Sequence, residues 1–164
     1  MLIATVILIV GLVGIAQLVP ASILINQKGR LDSTSLVFAQ RELDQMLAQP
    51  LTATTFLEAN GALCTTSCNL GDISPANSGQ RVGSGVVWIN NRPLIDFLAA
   101  PVDNYSFSYT DPNDPFGVTY DVRWAVVTTT SGSSVVSKRF FVGVRQLGGG
   151  SFVPAVTLDA MVGR

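Results

Sequence analysis

Residues 1–30 read MLIATVILIVGLVGIAQLVPASILINQKGR, and the fold prediction starts from this stretch. Its first 27 residues carry no charge, and Lys28 and Arg30 follow directly. At about 1.5 Å per residue, a helix of about 25 residues reaches roughly 37 Å, more than the roughly 30 Å of a hydrocarbon core. A signal peptide would have a basic start and a shorter apolar run. The stretch therefore predicts a membrane-held helix rather than a cleaved signal.

The next segment predicts that the helix continues in amphipathic form. An apolar stripe at helical spacing comprises Leu36, Ala39, Leu43 and Met46, with Leu47 beside it. The opposite side carries Arg41, Glu42, Asp44 and Gln45. Pro50 ends the pattern, because proline cannot continue a helix. We expect one helix of roughly fifty residues, bent near Pro20, with an apolar front half and an amphipathic back half.

Residues 51–164 predict a β-rich head domain that follows the helical domain of residues 1–50. The long polar stretch 51–85 indicates a surface connection, and PLIDFLAA at 93–100 a short helical turn. Strand patterns occur in GVVWINN, NYSFSYT, VTYDVRWAVVTT, SVVSKRFFVGVRQ and SFVPAVTLDAMV. An antiparallel sheet of four or five strands, with one face packed on the back half of the helix, would bury both apolar surfaces. The predicted fold class is α+β.

Two cysteines, Cys64 and Cys68, lie close together in ALCTTSCNL. Their spacing and the low charge of the domain favour a small disulfide loop, which requires an oxidising compartment. Free thiols and a metal site remain open as weaker alternatives, since a metal would need two further ligands. The redox motif C-x-x-C is not present in this pair.

Composition excludes several classes of function. The chain has no histidine, which removes Ser-His-Asp and Cys-His catalysis and most zinc sites. Its formal net charge is −1, and no basic block follows Arg30, so nothing indicates a nucleic-acid surface. We therefore predict a protein that is not an enzyme and that uses no cofactor.

Two clusters leave alternatives open. The carboxylate-rich segment around TDPNDPFG indicates either a calcium loop or a plain turn between strands, and comprises Asp103, Asn104, Asp111, Asn113 and Asp114. Three aromatic residues indicate either a sugar- or surface-binding patch or core packing, and these are Trp88, Phe116 and Trp124.

The residues IATVILIVGLVGIAQL, from Ile3 to Leu18, resemble the N-terminal helix of type IV pilins, especially the minor-pilin branch. The segments YDVRWAVV and KRFFVGVR resemble paired strands of the same family. The resemblance implies a long helix packed on a small β domain and a structural role in a pilus-like filament. It assigns helix packing and assembly to Ile3, Ala4, Gly11, Gly14 and Pro20.

The family's basic leader and its glutamate are missing from this sequence; matching Gly11 and Gly14 to the family pattern places the glutamate immediately before Met1. The resemblance implies as partners other copies or other pilins, the inner-membrane assembly machinery and membrane lipid before assembly. It implies an inner-membrane subunit with a periplasmic head that later joins an extracellular pilus. The alternatives are a type II secretion pseudopilin and a membrane-anchored binding or adhesion module that forms no filament.

Overall fold

The computed structural model describes Gly29 and residues 33–56, 68–110, 117–148 and 155–164. One helix, α1, covers residues 33–47. A 3-10 helix covers Pro75–Asn77. The strands are β1 Thr55–Phe56, β2 Cys68–Asn69, β3 Arg81–Gly83, β4 Val86–Ile89, β5 Arg92–Ile95, β6 Ser106–Thr110, β7 Thr119–Ser131, β8 Ser134–Leu147 and β9 Val156–Gly163.

The long hairpin β7–β8 is the centre of a five-stranded antiparallel sheet. Strands β6 and β3 pair with successive halves of β7, and β9 pairs with β8. A bulge between Thr129 and Thr130 interrupts the β7–β8 register near the turn, where Gly132 has a φ of 59°. Each of the five predicted strand patterns contains a strand, and the third and fourth of them pair as the hairpin β7–β8.

One face of this sheet, here called the helix face, packs against α1 and the small β1–β2 pair. Its core centres on Trp124, whose ring contacts Phe56 and whose Nε1 donates a hydrogen bond of 2.8 Å to the Asn69 carbonyl. The other buried members of this core are Leu43, Met46, Phe56, Cys68, Leu70, Val126, Phe140 and Val142. Tyr120, Val122, Trp124 and Val126 alternate along β7 and all lie in the cores of this face, whereas Ala125 lies in the core of the opposite face.

The opposite face, here called the hairpin face, is covered by the β4–β5 hairpin. Ile95 packs with Ala125 and Phe141 in a separate small core. A Cβ at Gly143 would lie only 2.6 Å from Ile95 Cβ, so glycine is what lets β5 lie directly on β8. The Ile95 amide also donates a hydrogen bond of 3.1 Å to Thr157 Oγ1 on β9. Both faces of the sheet are therefore covered.

The buried side of α1 differs from the predicted stripe. Ala39, Leu43 and Met46 are buried as predicted, but Leu36 is 39% exposed. Glu42, which was predicted on the solvent side, is only 3% exposed. The buried positions lie a little further round the helix than the apolar residues alone indicate, because Ser35 and Glu42 share the contact side with them.

The predicted fold class is wrong. The described residues contain one helix of 15 residues, and about 50% of them are strand, distributed over several sheets rather than one. Helix α1 ends at residue 47. After it, the Gln49 amide donates a hydrogen bond to the Met46 carbonyl, three residues back rather than four, and this closes the last turn before Pro50. A second layer, β4–β5, covers the sheet face away from α1, for which no covering element was predicted. The predicted front half of the helix, residues 1–28, lies outside the described residues.

Two further predictions need correction or restriction. The segment PLIDFLAA is not a helical turn, since Pro93, Leu94 and Ile95 belong to strand β5 and bends follow. The stretch 51–85, expected to be a plain connection, contains β1, β2, the 3-10 helix and β3. Within the described ranges, every helix falls short of the length and apolar character needed to cross a membrane.

Candidate functional site

A cluster of buried charges lies beneath the loop that follows β5. The Asp121 carboxylate on β7 accepts hydrogen bonds from Arg123 Nε at 3.0 and 3.1 Å and from Arg145 Nη2 at 3.0 Å. Asp121 and Arg123 are buried, whereas the Arg145 side chain is one-third exposed. Two guanidinium groups thus share one carboxylate, which leaves the cluster with one excess positive charge.

The same arginines fasten the loop of residues 96–99 to the sheet. Arg123 Nη1 donates to the Ala99 carbonyl at 2.7 Å, and Arg145 Nη1 donates to the Phe97 carbonyl at 3.2 Å. Both guanidinium carbons lie over the Phe97 ring, at 5.1 and 4.9 Å from its centroid. Planar guanidinium groups suit this combined stacking and hydrogen bonding. The cluster therefore acts first as a clasp between the hairpin face and its covering loop.

A second buried cation lies at the other face. Lys138 on β8 is 1% exposed, and its Nζ donates hydrogen bonds to the carbonyls of Ala53 and Leu70, at 2.5 and 2.9 Å. Ala53 precedes β1 and Leu70 follows β2, so both carbonyls lie at the same end of this antiparallel pair, and the lysine fastens both strands there to β8. Burial lowers the pKa of Lys138 from 10.5 to about 8. The contacts give this lysine a role in fastening the two chain segments.

An exposed apolar surface lies on the β4–β5 hairpin and the loop beyond it. Trp88 and Ile89 stand next to the two-residue turn Asn90–Asn91, whose φ angles of 49° and 64° fit a tight hairpin loop. Trp88 is 60% exposed, and Leu98 is 98% exposed. We call this the apolar hairpin surface, and its residues are Val87, Trp88, Ile89, Leu98 and Val102. Large exposed apolar side chains on one hairpin and its following loop are candidates for interaction with a partner.

The residues predicted for assembly lie outside the part of the chain that the structure describes, and these are Ile3, Ala4, Gly11, Gly14 and Pro20. Cys68 is buried at the start of β2 and is not a free thiol. Its predicted partner, Cys64, also lies outside the described residues, so the Cys64–Cys68 pairing stays a prediction.

Only part of the carboxylate-rich segment lies within the described residues. Asp103 and Asn104 are exposed in the turn before β6, and Asn104 has a φ of 64°, whereas residues 111–116 are outside the description. Among described residues, no group of three or more His, Cys, Asp or Glu side chains is placed to hold a metal. Of the aromatic residues, Trp124 is core and Trp88 is surface. The core reading is thus confirmed for Trp124, the binding reading of Trp88 stays a prediction, and Phe116 lies outside the described residues.

The sequence pattern did not reveal the charged cluster. Asp121 and Arg123 alternate with apolar residues along β7, which is how a solvent-facing strand side looks. A weak signal was present: Arg145 lies at the matching position of β8, directly opposite Asp121. Comparisons of the chain with protein-family models, with curated proteins and with solved structures find no match. What the protein does must therefore be inferred from its own residues.

Proposed function

We propose that this chain is a structural subunit of a type IV pilus-like filament. In this proposal, residues 1–25 hold the subunit in the inner membrane before assembly and then pack against other subunits in the filament. The β domain is presented in the periplasm and afterwards on the filament surface. The partners are other copies or other pilins and the membrane assembly machinery.

The single observation that carries the proposal is the sequence of residues 3–18. This stretch is uncharged, and its resemblance to the minor-pilin helix includes Gly11 and Gly14 in register. Small residues let the backbone of a neighbouring helix approach closely, both in lipid and in a packed apolar core. An apolar surface of this kind can exchange lipid for protein neighbours.

The described charges are consistent with a structural role. Arg123 and Arg145 donate hydrogen bonds to Asp121 and to loop carbonyls, and Lys138 donates to two backbone carbonyls. Each of these groups joins one chain segment to another. A subunit exposed on a filament needs such cohesion more than it needs a reactive group.

The test is to express a tagged full chain in its native cells, shear the surface filaments and identify the polypeptide in them by imaging and mass spectrometry. We expect the chain in the filament fraction, and we expect Gly11→Leu to remove it because a bulky side chain blocks close helix approach. Leu12→Ile, which preserves volume at the neighbouring position, is the matched control and should assemble. A chain that stays in the membrane fraction while filaments form without it would contradict the proposal.

A membrane-anchored binding module is the second candidate, and the apolar hairpin surface favours it. Trp88, Ile89 and Leu98 are exposed without covering residues in the described fold. A filament-free anchor would keep its polypeptide cell-bound under shear. In that case Trp88→Ala should lower cell adhesion while leaving the amount of surface polypeptide unchanged.

A further inference from the structure

Strand β9 forms one edge of the five-stranded sheet. It pairs with β8 over eight consecutive positions, from Ser137 opposite Gly163 to Val144 opposite Val156, without a register shift. In the described part of the chain, no strand pairs with its other side. Such an edge presents a row of backbone donors and acceptors that can bind a further strand.

The register shows which residues of β9 present these groups. The Arg164 amide donates to the Val136 carbonyl at 3.1 Å, so this pair is a hydrogen-bonded one. Hydrogen-bonded and non-hydrogen-bonded pairs alternate along an antiparallel ladder. The backbone groups of the even-numbered residues therefore face β8. The residues whose amide and carbonyl face outward are Thr157, Asp159, Met161 and Gly163.

The two edges of the sheet differ in their protection. The opposite edge is divided between two short strands, β6 with 5 residues and β3 with 3, which offer no continuous ladder. Strand β9 is 8 residues long and contains no proline and no lysine. Its one charge, Asp159, forms an ion pair with Arg139 of β8 at 2.5 Å. The features that commonly prevent edge pairing are thus present on one side and missing on the other.

We propose that two copies of this chain pair through β9, antiparallel and around a twofold axis, so that their sheets become continuous. With Met161 opposite Asp159 of the other copy, all four outward residues of each strand find a partner. A shift of two residues in either direction leaves one outward residue of each copy unpaired. One of those shifts also places Asp159 opposite its own copy, and like charges directly opposite are destabilising. Hydrogen bonding and charge select the same register.

The side chains of β9 suit a second copy. In the selected register Ala160 lies opposite itself on the twofold axis, and Leu158 lies opposite Val162. These residues pack partly buried against the cores of the helix face, and pairing would extend the apolar layer across the interface. On the other side, Met161 is 69% exposed, and the Arg139–Asp159 ion pair leaves no net charge to repel a second copy.

Crosslinking of the full chain in detergent micelles tests the geometry. Ala160 would form a non-hydrogen-bonded pair with itself, where Cα atoms are about 4.5 Å apart, a separation that a disulfide accepts. Ala160→Cys should therefore give a covalent dimer on mild oxidation. Ser108→Cys, an exposed position on β6 at the other edge, is the matched control and should not. Equal dimer yields from the two variants, or none from Ala160→Cys, would overturn the proposal.

Charge variants at Met161 test the register, with sedimentation velocity over a concentration series as the readout. Met161→Asp places two carboxylates opposite each other twice per dimer, and we expect the dimer dissociation constant to rise about tenfold. Met161→Lys creates two opposite-charge pairs with Asp159 and should lower it. The effects on the monomer run the other way, because residue 161 also faces Arg139 of its own chain. If a variant instead lowers or raises both the thermal stability of the monomer and the affinity of the dimer, its effect is purely conformational. That result would overturn the register.

This pairing goes beyond the proposed filament function and does not depend on it. A wild-type chain that sediments as a monomer at every concentration would overturn the pairing and leave the filament test unaffected. Conversely, a chain missing from filaments would leave the crosslinking result unaffected.

Discussion

The two faces of the five-stranded sheet are buried by different physical means. On the helix face, apolar side chains around Trp124 meet α1 and the β1–β2 pair, and burial follows from the hydrophobic effect. On the hairpin face, a small apolar core around Ile95 lies beside a buried ion cluster centred on Asp121. Charges survive burial only when they are paired and hydrogen-bonded. The first face tolerates approximate packing, whereas the second requires specific partners.

This contrast predicts where the molecule is most sensitive to a single change. An apolar core distributes its stabilisation over many contacts, each of them weak. The ion cluster places two arginines on one carboxylate, so a single substitution removes the counter-charge of both.

An effect as large as the loss of a fully buried tryptophan is expected for Asp121→Ala. It leaves the buried guanidinium of Arg123 and the one-third-exposed guanidinium of Arg145 without a carboxylate, and breaking a buried pair in this way costs about 3–5 kcal/mol of unfolding free energy. Urea denaturation measures it. Asp159→Ala is the matched control on the same face, because the exposed Arg139–Asp159 pair should contribute less than about 1 kcal/mol. Equal losses for the two variants would show that the cluster is not energetically distinct.

The fold of the helix face could be largely predicted from sequence. The alternation of Tyr120, Val122, Trp124 and Val126 predicts which side chains of β7 share the larger apolar core, because an apolar period of two places them on one face of a strand. The hairpin β7–β8 followed in the same way. The described part of the helix, residues 33–47, ends close to the predicted stop at Pro50.

The hairpin face could not be predicted, since its burial depends on contacts between residues distant in sequence. Nothing local to Asp121 shows that Phe97 and Ala99 will close over its arginines. In the sequence, Gly143 is likewise only a residue that weakens a strand. Its role in allowing the close approach of Ile95 is visible only in the fold. The prominent Trp88 was recognised as a candidate surface residue, but its aromatic character alone equally indicated a core position.

The next largest effect tests the close approach at Gly143. Gly143→Ala places a methyl group 2.6 Å from Ile95 Cβ, so the hairpin must move away from the sheet. Overpacking of this kind costs about 1–3 kcal/mol. Thermal or urea denaturation gives the value.

A double-mutant cycle then identifies the contact. Ile95→Ala removes the opposing side-chain atoms, so the Gly143→Ala penalty should be smaller in that background. Additive losses in the double variant would show that the penalty at position 143 has another cause.

A smaller effect, on pH dependence, belongs to Lys138 on the helix face. Its pKa is lowered to about 8 in the folded protein, whereas in the unfolded chain its pKa has the ordinary value of 10.5. Between these values the unfolded state binds more protons, so this lysine makes stability rise with pH from about 8 to 10.5. We expect a gain of about 1–2 kcal/mol relative to Lys138→Met over that window. Parallel pH profiles for wild type and Lys138→Met would contradict the lowered pKa.

The smallest effect on stability is expected at the apolar hairpin surface. Trp88→Ala removes a side chain that is 60% exposed, so the unfolding free energy should change by less than about 0.5 kcal/mol. Trp124→Ala is the matched comparison within the helix face, where loss of a fully buried tryptophan costs about 3–5 kcal/mol. Urea denaturation followed by circular dichroism measures both without depending on tryptophan fluorescence. A large loss for Trp88→Ala would mean that the hairpin supports the fold rather than being available to a partner. A negligible loss, by contrast, would show that folding does not require this large exposed side chain, so that it is available to a partner.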